Sequence, residues 1–217
     1  MHKIINNLIS IKTELKSKLE NYSKIKIIAV SKTFPKEDIL PLINHGHIDF
    51  GENKVQEAIE KWGDIKSDFP NIKLHMIGKL QSNKVKFAVS LFDYIHSLDN
   101  QKLAEKISLE QKKLNKELKI FIQINIGNED QKSGINPNDL KSFYEMCTKK
   151  LSLNIVGIMC LPPNDKRSSL YFGEMNKLKS TINVNELSMG MSSDYLEAAE
   201  HGASYIRIGS KIFGRRS

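Results

Sequence analysis

The 217-residue chain has only two cysteines, one tryptophan and four arginines. Cys147 and Cys160 belong to no metal or redox motif, so a disulfide scaffold is excluded. Both read as reduced core residues of a cytoplasmic protein. No run of eighteen apolar residues occurs, which argues against a membrane-spanning helix and a membrane partner. The opening "MHKIINNLISIKTELKSKLE" carries polar residues every few positions and lacks the apolar core and cleavage site of a secretory signal. Linkers and low-complexity segments are missing too, so one domain over residues 1–217 is expected.

Lys and Arg total 33 against 25 Asp and Glu, a net charge of +8. Such an excess invites a nucleic-acid reading. The four arginines (Arg167, Arg207, Arg215 and Arg216) leave lysine as almost the whole basic complement. The lysines are dispersed and not interleaved with aromatics, whereas phosphate binding needs clustered charge. They read as solvated faces, and no nucleic-acid partner is expected.

Hydrophobic periodicity alternates between helix and strand along the whole chain. Ile4, Leu8, Ile11, Leu15 and Leu19 step by three and four, which predicts an opening amphipathic helix. "KIKIIAV" then reads as a buried strand, and "KEDILPLINHG" as a helix stopping at Gly46. Pro41 inside it marks either a first turn or a kink. The alternation continues through "HIDFGEN", "IKLHMIG", "LFDYIHSLD", "LKIFIQINIG", "LNIVGIMCL", "NELSMG" and "ASYIRIGS" as strands. Helical patterns lie between them, among them residues 101–117 and 137–150, and "KIFG" gives one last helical turn. Eight strand–helix units predict an α/β fold, a (β/α)8 TIM-type barrel with an extra N-terminal helix. The alternative is an open doubly wound sheet, but no G-x-G-x-x-G follows any strand.

In a barrel, the residues just after each strand form the active face. Here these are polar or small: Ser31-Lys32-Thr33, Gly51-Glu52-Asn53, His75 with Gly78, His96 to Asp99, Gln123 with Asn125, Met159, the loop Ser188 to Ser192, and Arg207 to Ser210. Barrel phosphate sites use the loops after strands 7 and 8 with a short extra helix, the places held by "SMGMSSD" and "RIGSKIFG". The amides of Gly209, Ser210 and Lys211 and the hydroxyl of Ser192 would serve an anion there. The competing reading is that Ser192 and Asp194 only cap a helix, Asp194 with Glu197 forming a capping box. Lys32, at the first strand end and facing such a cradle, suits a Schiff base with a phosphorylated aldehyde; alone, it would pass for a surface lysine. His45 and His47 flank a helix stop and would diverge, so no metal site is expected. Trp62 reads as packing a helix on the barrel.

The segments "AVSKTFP", "FGENKVQE", "HMIGKLQSNK", "HSLD", "IQINIGNEDQKSGI", "GIMCLPP" and "LSMGMSSDYLEAAEHGASYIRIGSKIFG" are collinear over nearly the whole chain. In them the sequence resembles the YggS-type pyridoxal phosphate homeostasis proteins, barrels of the alanine racemase N-domain type. The resemblance implies pyridoxal 5′-phosphate (PLP) linked to Lys32, with Arg207 facing the pyridine nitrogen. It further implies that Ser192, Gly209 and Ser210 bind the phosphate and that Asn53 lies beside the ring. Met191, next to Ser192, is counted with the cofactor-binding residues. Lys54, Lys79 and Ser210 depart from the family's pattern: the first two could alter the pocket rim, and Ser210 keeps the hydroxyl of a threonine.

An arginine cannot accept a proton, so Arg207 at the ring nitrogen would favour a neutral pyridine and a weak electron sink. The second, β-rich domain that supplies alanine racemases with an opposing base is also not expected after Ser217. These points argue against strong catalysis; the expectation is a carrier, a monomer, that holds PLP for delivery to apo-enzymes. The alternative is a weak PLP-dependent racemase.

Overall fold

The computed structural model describes residues 2–129, 131–165 and 167–214. Eight parallel strands close into a barrel in chain order: β1 (Lys26–Val30), β2 (Asp49–Glu52), β3 (Lys73–Met76), β4 (Tyr94–Leu98), β5 (Lys119–Ile124), β6 (Ile155–Cys160), β7 (Glu186–Ser188) and β8 (Tyr205–Ile208). β1 closes on β8 with Lys26 opposite Tyr205 and Ala29 opposite Ile208. The (β/α)8 expectation therefore holds, and closure rules out the open sheet.

Outside run α1 (Lys3–Lys18), α2 (Lys36–Asn44), α3 (Val55–Asp68), α4 (Val85–Leu91), α5 (Gln101–Leu114), α6 (Leu140–Glu145), α7 (Ser168–Lys179), α8 (Tyr195–Glu200) and α9 (Ser210–Phe213). α1 is the extra helix. It buries Ile4, Leu8, Ile11 and Leu15 of the predicted stripe, while Leu19 lies past its end as the half-buried C-cap. Its polar residues fasten the last turn: Asn7 Nδ2 donates to the Ile212 carbonyl at 2.8 Å, and Glu14 accepts from Lys211 Nζ at 2.8 Å and from the Tyr195 hydroxyl.

Strand residues alternate between two apolar layers, as a pleat requires. One large cluster, including Ile27, Ala29, Phe50, Leu74 and Ile206, packs strands against helices. A smaller one fills the barrel with Ile28, Tyr94, Phe121, Met159 and Tyr205.

Local departures have physical causes. Pro41 lies in the interior of α2, not in its first turn. α5 stops at Leu114, short of the predicted 117, because Asn115 turns left-handed (φ 46°) and returns its N–H to the Gln111 and Lys112 carbonyls. The helix expected over 137–150 divides into a tight turn at Pro137–Asp139, α6, and a wider π-type turn at Met146–Lys150. Cys147 and Cys160 are buried free thiols, each pushed up to about 12 by burial, which keeps them unreactive.

Candidate functional site

A cavity of ≈ 520 Å³ opens at the C-terminal end of the strands. Lys32, Asn53, Met191, Ser192, Arg207, Gly209 and Ser210 all line it, with Val30, Phe34, Ile77 and Leu161 supplying apolar wall. All seven site residues expected from sequence are thus brought to one place by the ends of β1, β2, β7 and β8. Exposed Lys79 lines two adjoining cavities of ≈ 470 and ≈ 360 Å³ and exposed Lys54 the larger of these, so both stand beside this pocket and not in it. Gln123 and Asn125 line the smaller neighbour.

Lys32 sits on a loop whose backbone is held from below. Ser31 Oγ donates to Glu52 Oε1 at 2.7 Å, and Thr33, in the left-handed region (φ 68°), donates its N–H to Glu57 Oε1. Glu52 is fully buried, and its Oε1 also accepts from Lys61 Nζ and Trp62 Nε1, both at 3.0 Å. Burial raises the Glu52 carboxyl, opposed by the Lys61 charge and these donors. Trp62 packs on Phe50 as expected, with ring centroids 5.0 Å apart; its bond to Glu52 is an addition the sequence did not suggest.

Asn53 is set by a close approach. A Cβ on Gly78 would fall 2.3 Å from the Asn53 carbonyl oxygen, so only glycine lets the loop after β3 pass against Asn53.

The loops after β7 and β8 join through Ser192, whose Oγ accepts the Lys211 amide at 3.3 Å. That amide is therefore engaged, which corrects the expectation that it is free for an anion. The capping box also fails to form. Asp194 stands at the start of α8 without a side-chain cap, and its Oδ1 instead accepts the Met191 amide at 2.6 Å. The carboxylate folds the pocket loop back on itself instead of capping α8. Gly190 in this loop has φ 89°, and a Cβ there would meet the Ala198 Cβ at 2.5 Å. Gly209 differs: its Cβ would make ordinary contact with Val30 at 3.5 Å, so the fold tolerates a side chain there and the glycine leaves room in the cavity.

Arg207 is 4% exposed. Its Nη1 donates to Ser188 Oγ at 2.7 Å and its Nη2 to the Cys160 carbonyl at 2.8 Å. Burial lowers its pKa from the usual arginine value. His75, His96 and Met159, placed on the active face by sequence position, are instead fully buried within the barrel. His75 stacks on Tyr94 and His96 on Phe121, each pair with centroids 4.2 Å apart. His45 is exposed, whereas His47 is buried with Nε2 2.9 Å from the Asp49 carbonyl oxygen.

The arrangement joins an amine, a donor-only cation and hydroxyls from two tied loops around an apolar-walled cavity. The family model for the N-terminal domain of alanine racemase matches residues 5–217. The pyridoxal phosphate homeostasis protein of Pasteurella multocida is 36% identical, aligned over 89% of this chain and 88% of its own. That of Vibrio cholerae is 38% identical over 89% and 86%. Synechococcus elongatus PipY, solved with PLP bound, superposes with a TM-score of 0.86 at 33% identity, covering 97% of this chain and 100% of PipY. The Clostridium difficile alanine racemase shares the fold at TM-score 0.75 and 16% identity, with 99% of this chain matching 57% of the racemase.

Proposed function

The chain belongs to the alanine racemase N-terminal domain family and, within it, to the pyridoxal phosphate homeostasis proteins, and on that premise we propose that it binds PLP in this pocket and serves cellular PLP homeostasis. The reading extends to one PLP-binding barrel domain over residues 1–217, acting as a cytoplasmic monomer that passes PLP to apo-enzymes.

The donor set fits the cofactor. PLP needs an amine for its aldehyde, donors for its phosphate and a partner for its ring nitrogen; Lys32, Ser192 with Ser210, and Arg207 line one cavity. The cavity lies within the usual size range of small-molecule sites. The space left at Gly209 is the observation that carries the fit, since a Cβ there would meet only Val30 at an ordinary 3.5 Å and the protein alone does not demand glycine. When bound, PLP supplies an aldehyde that condenses with amines and a ring that can take up electron density.

Lys32 would hold the aldehyde carbon through Nζ. Ser192 and Ser210 would donate to the phosphate, where bonds to an anion are the strong kind. α9 is only one turn, so its dipole adds little and these individual donors carry the site. Arg207 can only donate, so it would hydrogen-bond an unprotonated ring nitrogen and could not hold that nitrogen protonated. That favours carrying PLP over catalysing with it.

The test is titration of the purified protein with PLP, borohydride reduction and peptide mapping. A pyridoxyl group on Lys32, lost in Lys32→Ala, is expected. Undiminished attachment in Lys32→Ala, or no attachment to wild type, would overturn the proposal.

A further inference from the structure

Below the pocket, side chains from five strands join Arg207 to the far end of the barrel. Arg207 Nη1 donates to Ser188 Oγ at 2.7 Å. Ser188 Oγ lies 2.8 Å from His96 Nδ1. His96 Nε2 lies 3.0 Å from His75 Nδ1, and His75 Nε2 lies 3.0 Å from Asp49 Oδ1. Ser188, His96 and His75 have no solvent exposure. Asp49 lines a separate cavity of ≈ 380 Å³ at the opposite end.

Counting hydrogens gives this chain a direction. Arg207 can only donate, so Ser188 accepts from it and its own O–H is left to donate to His96 Nδ1. An ionised Asp49 can only accept, so His75 Nε2 carries the hydrogen. With His75 Nδ1 then bare, His96 Nε2 must donate to it. Both rings come out as the Nε2–H tautomer, and all four bonds are made without charging either imidazole. If His96 carried its hydrogen on Nδ1, two bare nitrogens would face each other, unless His75 were charged.

The surroundings agree. Burial lowers both histidines, and the Arg207 charge lowers His96 further, as would any protonation of His75. Asp49 and Asp93 oppose the effect at His75, and Lys26 on β1 reinforces it. Burial alone would raise Asp49, but the His75 N–H and nearby positive charge prevail and its carboxyl is lowered.

We propose that Asp49, His75, His96 and Ser188 are positioning residues for Arg207: a one-way hydrogen-bond relay that fixes the guanidinium and links its charge to a carboxylate at the far end of the barrel. Arginine does not release its proton, so the relay moves no net proton. Its bonds all point the same way and polarise one another, which strengthens each. The inference rests on Arg207 serving the pocket, but its own geometry exists without ligand.

The test begins with the ligand-free protein carrying ¹⁵N-histidine. Long-range ¹H–¹⁵N correlation should show His75 and His96 with protonated Nε2 and bare Nδ1 from about pH 5 to about pH 8. Ser188→Ala should leave the Arg207 guanidinium held only by the Cys160 carbonyl, shifting its Nη1 signal and drawing the separate Nη signals together. It should also weaken PLP binding about tenfold, the worth of one bond to a charged group. An Nδ1–H or doubly protonated ring in wild type would overturn the relay, as would Arg207 signals unchanged in Ser188→Ala. If wild type shows the stated tautomers but binds no PLP, the relay stands and the pocket reading fails.

Discussion

Lys61 Nζ donates to the carbonyl oxygen of Ser31 at 2.8 Å, immediately before the lysine that lines the pocket. The same ammonium meets Glu52 Oε1 at 3.0 Å and Glu57 Oε1 at 3.1 Å, with Lys61 8% exposed and Glu52 fully buried. A helix cation thus holds the β1 loop from beneath while two carboxylates hold the cation. Lys61→Met strands the Glu52 charge, and such losses cost about 3–5 kcal/mol. The raised Glu52 pKa allows protonation to recover part of this. Urea unfolding should show the loss, and Glu52→Gln added to Lys61→Met should restore much of it. A double mutant no more stable than the single would refute the buried-pair account.

The phosphate should dominate affinity. Pyridoxal lacking the phosphate forgoes the Ser192 and Ser210 donors and should bind on the order of a hundredfold more weakly than PLP. Ser192→Ala, which also unties the two loops, should narrow the gap. Equal affinities by calorimetry would move the phosphate elsewhere.

Two glycines on the two pocket loops should respond oppositely to alanine. Gly190→Ala meets both a positive φ and Ala198 at 2.5 Å, so a stability loss of about 2–4 kcal/mol is expected. Gly209→Ala meets only Val30 at 3.5 Å and should leave unfolding nearly unchanged while weakening PLP binding. Full PLP affinity in Gly209→Ala would remove that residue from the site.

Arg207→Glu tests electronic control. A carboxylate can share a proton with the ring nitrogen and a guanidinium cannot. The folded, PLP-loaded variant should exchange the α-proton of added amino acids faster than wild type, read as deuterium incorporation. Equal rates would mean that Arg207 does not set the protonation of that nitrogen.

Acid should destabilise the fold through its buried histidines. Burial lowers His47 from 6.5 to about 4, and His75 and His96 are lowered as well. Below about pH 6.5 the unfolded chain takes up protons that the folded one refuses, so stability falls from there down through about pH 4. His47 alone accounts for a loss on the order of 3 kcal/mol. The urea midpoint should drop over that window, and His47→Leu should flatten the drop.

The order of elements and the residues lining the pocket were legible in the sequence. Strand–helix alternation requires a parallel sheet, and residues following parallel strands collect at one end of it. Lys32, Asn53, Ser192, Arg207 and Gly209 could therefore be placed together from position alone. What only the tertiary structure decided was depth and partnership. His75 and His96 follow the same positional rule, yet they lie inside the barrel. Which residues of a strand point inward, and at what height, depends on register between neighbours once the ring closes, and a single strand's pattern does not carry that register. Lys61 follows Glu57 by four residues, a spacing common to exposed helix pairs, yet it lies 8% exposed beneath the β1 loop. Asp194 has a cap's sequence spacing, but the Met191 amide, brought within 2.6 Å by the loop, takes the carboxylate first. Local periodicity fixes which face of an element is apolar; the polar bonds that set this site run between elements, and closure of the barrel brings them within reach.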